Sequence, residues 1–140
     1  MADGCVGNAR TMNDESVNSQ KYVLAIDDEP EILGVIQQSL ESDGLRVLTA
    51  SGAKEGVETY ERRWRDIGVV LLDYLMPDMT GDLVLTCLQH INSDVRVLLL
   101  TGCDDRVARA MFDAGVRGCI QKPFYLDDLI QRVREELERV

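Results

Sequence analysis

Short apolar runs alternate with longer stretches of helical period along most of the chain. The runs fall at Tyr22 to Ile26, Leu45 to Thr49, Ile67 to Leu72, Val95 to Leu100 and, more weakly, Gly118 to Gln121, each the length of one strand. Two of them, Val69-Val70-Leu71-Leu72 and Val97-Leu98-Leu99-Leu100, show no in/out alternation, the pattern of central parallel strands covered on both faces. Between the runs, Ile32, Leu33, Ile36 and Leu40 share one helical stripe. So do Ala53, Val57, Tyr60 and Trp64, and later Leu126, Leu129, Val133, Leu137 and Val140. Weaker stripes at Val84, Leu88 and Ile91, and at Val107, Met111 and Ala114, supply two more helices. This (βα)5 order predicts an α/β domain with a doubly wound, parallel five-stranded sheet of strand order 2-1-3-4-5. In such sheets a ligand binds outside the carboxyl ends of the strands, where the strand order reverses.

Residues 1–20 are rich in Asn, Ser, Gly and Asp and carry almost no periodic pattern, so they read as a flexible leader to a domain spanning residues 21–140. The last stripe runs to the final residue without a glycine or proline stop. With 140 residues, 45% of them apolar and 29% charged, the chain has the balance of one compact domain. A formal net charge of −10 argues against direct, non-specific contact with nucleic acid or an anionic membrane. The apolar runs are too short to span a bilayer. The start of the chain lacks the charged and apolar regions of an export signal, which points to the cytoplasm. Cys5, Cys87, Cys103 and Cys119 are widely separated, unlike the close pairs of zinc or redox motifs.

The residues that follow each strand carry the chemistry. The first run is followed by Asp27-Asp28-Glu29-Pro30, the third by Asp73-Tyr74-Leu75-Met76-Pro77, the fourth by Thr101-Gly102 and the fifth by Lys122-Pro123. In a parallel sheet these share one rim. Clustered carboxylates repel one another unless a hard cation such as Mg²⁺ sits among them. Phosphoryl transfer needs a nucleophile together with cationic and hydrogen-bonding groups around the phosphoryl oxygens, and Asp73, Lys122 and Thr101 are of those types. Taken singly, each residue also has a structural explanation. Asp27 or Asp28 caps the helix opening at Pro30, Asp73 starts a turn, Thr101 caps the helix near Asp104, and Lys122 is a solvated charge. Four separate elements placing the right type at one edge favour a metal-assisted phosphoryl site.

The DDEP, DYLMPDMTG, TG and KPF segments resemble the response-regulator receiver pattern, and the resemblance covers residues 21–140. It implies a flavodoxin-like fold and a two-component signalling switch rather than a conventional enzyme. Asp73 would be the phosphoacceptor, charged from a histidine kinase or a phosphotransfer protein. Mg²⁺ (or Mn²⁺) would be held by Asp28, Asp73 and the backbone carbonyl of Leu75, with Asp27 acting through water. Thr101 and Lys122 would stabilise the phosphoryl group, and the peptide before Pro123 would be cis.

Two departures from that pattern bear on output. Cys119 stands where the family usually carries Tyr or Phe, so the usual aromatic switch is in doubt and the thiol reads as a small strand hydrophobe. The segment Gly115 to Ile120 lacks the acidic pair typical of the subfamily of DNA-binding members that dimerise through this face, which argues against a winged-helix output. Leu75 and Cys103, at positions that flank the water approaching an acyl phosphate, cannot orient it, which predicts a long-lived phosphorylated state. Val35 lies off the first helix's apolar stripe, beside the acidic rim, and reads either as a kinase contact or as one scattered exposed Val. Self-association through the fourth helix, fifth strand and fifth helix is a further expectation. The rivals are a Mg²⁺-dependent aspartyl-phosphate phosphatase and a docking module that has lost phosphorylation. A phosphatase of this kind would usually carry its nucleophile after the first strand with a second acid two positions on, where this chain has Glu29 and Pro30. The complete set of Asp27, Asp28, Asp73, Thr101 and Lys122 speaks against a lost site.

Overall fold

The computed structural model of the chain describes residues 21–102 and 105–139. The expected leader, Cys5, Cys103, Asp104 and Val140 lie outside the described residues. Within them the elements run β1 (Tyr22–Ile26), α1 (Pro30–Ser42), β2 (Arg46–Ala50), α2 (Ala53–Arg63), a 3-10 turn (Trp64–Asp66), β3 (Ile67–Asp73), α3 (Gly81–Ile91), β4 (Val97–Thr101), α4 (Asp105–Ala114), β5 (Gly118–Gln121) and α5 (Leu126–Glu138). All strand pairs are parallel, in the order β2-β1-β3-β4-β5, which is the predicted 2-1-3-4-5.

Alternate residues of the central strands feed two cores. Leu24, Ile26, Val70, Leu72, Val97 and Leu99 pack with Tyr60, Val84, Leu85, Leu88 and Met111, contributed by α2, α3 and α4. Val23, Ala25, Val69, Leu71, Leu98 and Leu100 pack on the other face with Leu33, Ile36, Leu40, Leu129 and Val133 of α1 and α5. Burial on both faces explains why β3 and β4 show no alternation in sequence.

Several boundaries differ from the sequence reading by one or two residues, and the starts of β2 and β4 differ because of where a backbone N–H is spent. Leu45 donates its N–H to Leu40 in the turn that ends α1, so β2 begins one residue later, at Arg46. Gly44, at φ 88°, makes that turn in the left-handed region glycine tolerates. Val95 donates to the Asn92 carbonyl, and β4 therefore starts at Val97. Trp64 leaves the α2 helix for the 3-10 turn, although its ring still packs against the core face lined by α2 to α4.

Candidate functional site

Strand register decides which residues meet at the carboxyl rim. Ile26 pairs with Leu72, so Asp27 and Asp73, one step further along, become neighbours. Asp73 in turn pairs with Leu100, and Thr101 pairs with Gln121. Thr101 and Lys122 therefore leave their strands at the same edge, and the Lys122 N–H donates to the Thr101 carbonyl at 2.9 Å. One carboxylate oxygen each from Asp27, Asp28 and Asp73 lies within 4.8 Å of the other two.

Asp27 is fully buried and Asp73 nearly so, while Asp28 is half-exposed. Both Asp27 oxygens are engaged: Oδ1 accepts the Glu29 N–H at 3.0 Å, and Oδ2 accepts from Lys122 Nζ at 2.8 Å. The same ammonium lies 3.5 Å from Asp73 Oδ1 and 3.6 Å from Glu29 Oε1. Lys122 is thus no solvated surface charge. Burial alone would lower its pKa, but the hydrogen bond and charge of Asp27, with Asp73 and Glu29 behind, leave it raised. Burial and then the negative charge of Asp27 push the Asp73 carboxyl up to about 6; Lys122 pulls the other way and Asp28 adds to the rise. One ammonium does not compensate three carboxylates in so small a volume.

The donor set is all oxygen and short of positive charge, which suits a hard divalent cation. Ligands about 2.1 Å from a Mg²⁺ ion lie at most about 4.2 Å from one another, and the cluster is close to that spread. Leu75, whose carbonyl is the expected fourth contributor, lies two residues past β3 with its side chain in solvent. The rest of this loop is tied down. Met76 is buried in the α2 to α4 core, and the Gly81 N–H donates to the Tyr74 carbonyl at 2.8 Å. A Cβ on Gly81 would meet Tyr74 Cα at 3.0 Å, so a side chain there would press on the backbone of this loop.

Asp78, in the same loop, accepts the N–H groups of Ala53 and Lys54 at 3.3 and 3.1 Å. Sequence reasoning did not single out Asp78, because nothing local to it signals a partner 24 residues earlier. The peptide between Lys122 and Pro123 is cis. Cys119 sits half-buried in β5 against the α2 to α4 core, and burial raises its thiol pKa. Val35 is an exposed apolar residue of α1.

A doubly wound sheet with a three-aspartate pocket and one lysine at its carboxyl rim defines an acidic-pocket α/β domain. Residues 23–134 match the family model described as "Response regulator receiver domain". The chain is 35% identical over 120 residues to the probable transcriptional regulatory protein TcrX of Mycobacterium tuberculosis, covering 84% of this chain and 50% of that protein. Its fold is similar to a response regulator receiver domain protein from Clostridium thermocellum, with TM-score 0.81 and 33% identity over 85% of this chain and 95% of that one. It is also similar to a chain in a CheX-CheY-BeF3-Mg²⁺ complex from Borrelia burgdorferi, with TM-score 0.80 and 25% identity over 85% and 90% of the two chains. The chain belongs to the response-regulator receiver family. It spans about half the length of TcrX. Receiver domains are the signalling switches of two-component systems and bind Mg²⁺ through an acidic pocket. No helix among the described residues is long and apolar enough to cross a membrane.

Proposed function

We propose that this chain, as a receiver domain over residues 21–140 behind a leader of residues 1–20, accepts a phosphoryl group on Asp73 from the phosphohistidine of a histidine kinase or phosphotransfer protein. The observation that carries this reading is the meeting of Asp27, Asp28 and Asp73 with Lys122 at one rim. An Asp73 carboxylate oxygen bonds to phosphorus as the bond from phosphorus to the donor imidazole breaks. The bonding pair stays on the imidazole nitrogen, and the ring, protonated on its other nitrogen, leaves as neutral imidazole. Lys122 and the Thr101 hydroxyl hold the phosphoryl oxygens, where charge is spread in the transition state. Asp28, Asp73 and the Leu75 carbonyl would hold Mg²⁺, or Mn²⁺ in its place, with Asp27 acting through water because its own oxygens are engaged. Bound there, the cation supplies positive charge to the phosphoryl oxygens.

Phosphorylation then shifts the population of the face formed by α4, β5 and α5 and with it the choice of partner, a second copy included. With Cys119 in place of a swinging ring, the signal runs through the backbone after Thr101 or through α4. The setting is cytoplasmic. The decisive test is intact mass after incubation with acetyl phosphate or phosphoramidate, with and without Mg²⁺. The parent gains one phosphoryl group only with Mg²⁺, and Asp73→Asn gains none; an equal adduct on the variant overturns the assignment. Leu75 cannot orient a hydrolytic water, so the adduct persists, and its loss within seconds without a phosphatase would contradict this.

A further inference from the structure

The helix α2 opens at Gly52, a residue with no side chain to cap it, and among the described contacts no cap comes from its own N-terminal residue. Half of the missing cap is local: Glu55 reaches back to accept from the Ser51 N–H and hydroxyl at 3.1 and 2.9 Å. The other half is imported. Asp78 Oδ1 takes the Ala53 N–H and Asp78 Oδ2 the Lys54 N–H, two of the donors that a helix start leaves open. Those N–H groups, that of Lys54 foremost, hold the Asp78 carboxyl below its ordinary pKa. A residue serving only as a helix cap has no need to come from another loop. Asp78 comes from the segment between β3 and α3 that also carries Asp73 and Leu75. That segment is otherwise held by the Gly81-to-Tyr74 hydrogen bond and by buried Met76.

We infer that Asp78 is a positioning residue: by capping α2 from outside, it fixes the β3–α3 loop so that the Leu75 carbonyl and Asp73 carboxylate are held ready for a divalent cation. The inference rests on the metal site proposed above and adds to it a residue that touches neither metal nor phosphate. An untethered loop would have to be ordered when the cation binds, which weakens affinity.

The test is Mg²⁺ affinity by titration calorimetry with MgCl2, alongside the thermal midpoint of each protein. Asp78→Ala should bind Mg²⁺ on the order of tenfold more weakly than the parent, the low end of what outer-shell partners contribute. Asp78→Asn keeps one acceptor and loses the charge, and should fall between the two. The separating variant is Gly52→Ser in the Asp78→Ala background. Gly52 has φ 177°, which serine adopts freely, and a Cβ there meets only the Asp78 carboxylate at 3.5 Å or more. It gives α2 a cap of its own, so the thermal midpoint should recover while Mg²⁺ affinity stays low. Recovery of both together would mean that helix stability alone matters and would overturn the inference. So would parent-like binding by Asp78→Ala, or equal losses in Asp78→Asn and Asp78→Ala, which would point to charge alone. A parent chain that binds no Mg²⁺ would instead bring down the functional reading beneath.

Discussion

The two rims of the sheet treat charge in opposite ways. At the carboxyl rim Asp27, Asp28 and Asp73 share one ammonium, and burial, followed by the negative charge of Asp27, raises the pKa of Asp73. At the amino rim Glu136 is as buried as Asp27, yet its carboxylate lies between Arg117 at 3.2 Å and Arg139 at 3.4 Å. Arg96, just before β4, donates to the carbonyls of Glu136 and Arg139, which binds the end of α5 to the sheet. A cleft of about 490 Å³ opens at this rim, lined by Lys21, Tyr60, Trp64 and Arg96 among others. The concavity and the proposed chemistry therefore lie at opposite ends. Concavity alone would direct attention to the braced rim, whereas the perturbed titration of Asp73 points to the rim of the proposed chemistry.

The largest effect on stability should come from the braced rim. Glu136→Ala removes the carboxylate from two guanidinium groups and is expected to cost about 2–3 kcal/mol, below a fully buried pair because both arginines keep part of their hydration. Urea unfolding measures this, and Mg²⁺ affinity should not change. A loss below about 1 kcal/mol would mean the amino rim is not a brace.

The opposite sign is expected at the carboxyl rim. Folding raises the Asp73 pKa from 3.8 to about 6, so the folded state holds that proton more tightly than the unfolded one does. For an acid shifted this way the penalty is absent below pH 3.8, develops between there and about 6, and is full above. Without metal, Asp73→Asn should therefore be more stable than the parent by roughly 1–2 kcal/mol at pH 7, with the gap closing as pH falls through that window. A variant less stable than the parent at pH 7 would erase the contrast between the rims. A smaller effect belongs to Tyr60, a buried residue whose hydroxyl accepts from Asn92 Nδ2 at 3.1 Å beside the cleft. Tyr60→Phe should cost about 1 kcal/mol, read from the same unfolding curves.

The sequence was most legible where one signal sufficed. Five apolar runs and their intervening stripes specify the sheet order, because parallel strands buried on both faces must be crossed by helices on each side. Asp27, Asp28, Asp73, Thr101 and Lys122 were legible as a group for the same reason: each ends a strand or lies one or two residues beyond one, and a parallel sheet brings those positions to one rim. The strand ends of β2 and β4 were not legible, since Leu45 and Val95 have apolar side chains but spend their N–H groups on turns. Asp78 and Glu136 escaped for another reason. Each acts through partners from distant elements, the N–H groups opening α2 for one and Arg117 of the β5 approach for the other. Gly52 is the one hint in the sequence, a helix start without a capping side chain.

The weakest expected effect isolates what makes the amino rim strong. Arg134 of α5 reaches Asp43 at the end of α1, its Nε 2.6 Å from Asp43 Oδ2 and a second nitrogen on the Asp43 carbonyl. The groups are of the same kinds as those around Glu136, and they too join α5 to a neighbouring element. The difference is solvent: both side chains of this pair are about two-fifths exposed, where that of Glu136 is 3% exposed. Water screens the outer pair and keeps both groups hydrated when the pair is broken, so Arg134→Ala should cost only about 0.5 kcal/mol and less at high salt. Unfolding curves at low and high ionic strength check this. A loss equal to that of Glu136→Ala, unchanged by salt, would show that the number of contacts to α5 sets the strength of this rim, and that burial of the carboxylate does not.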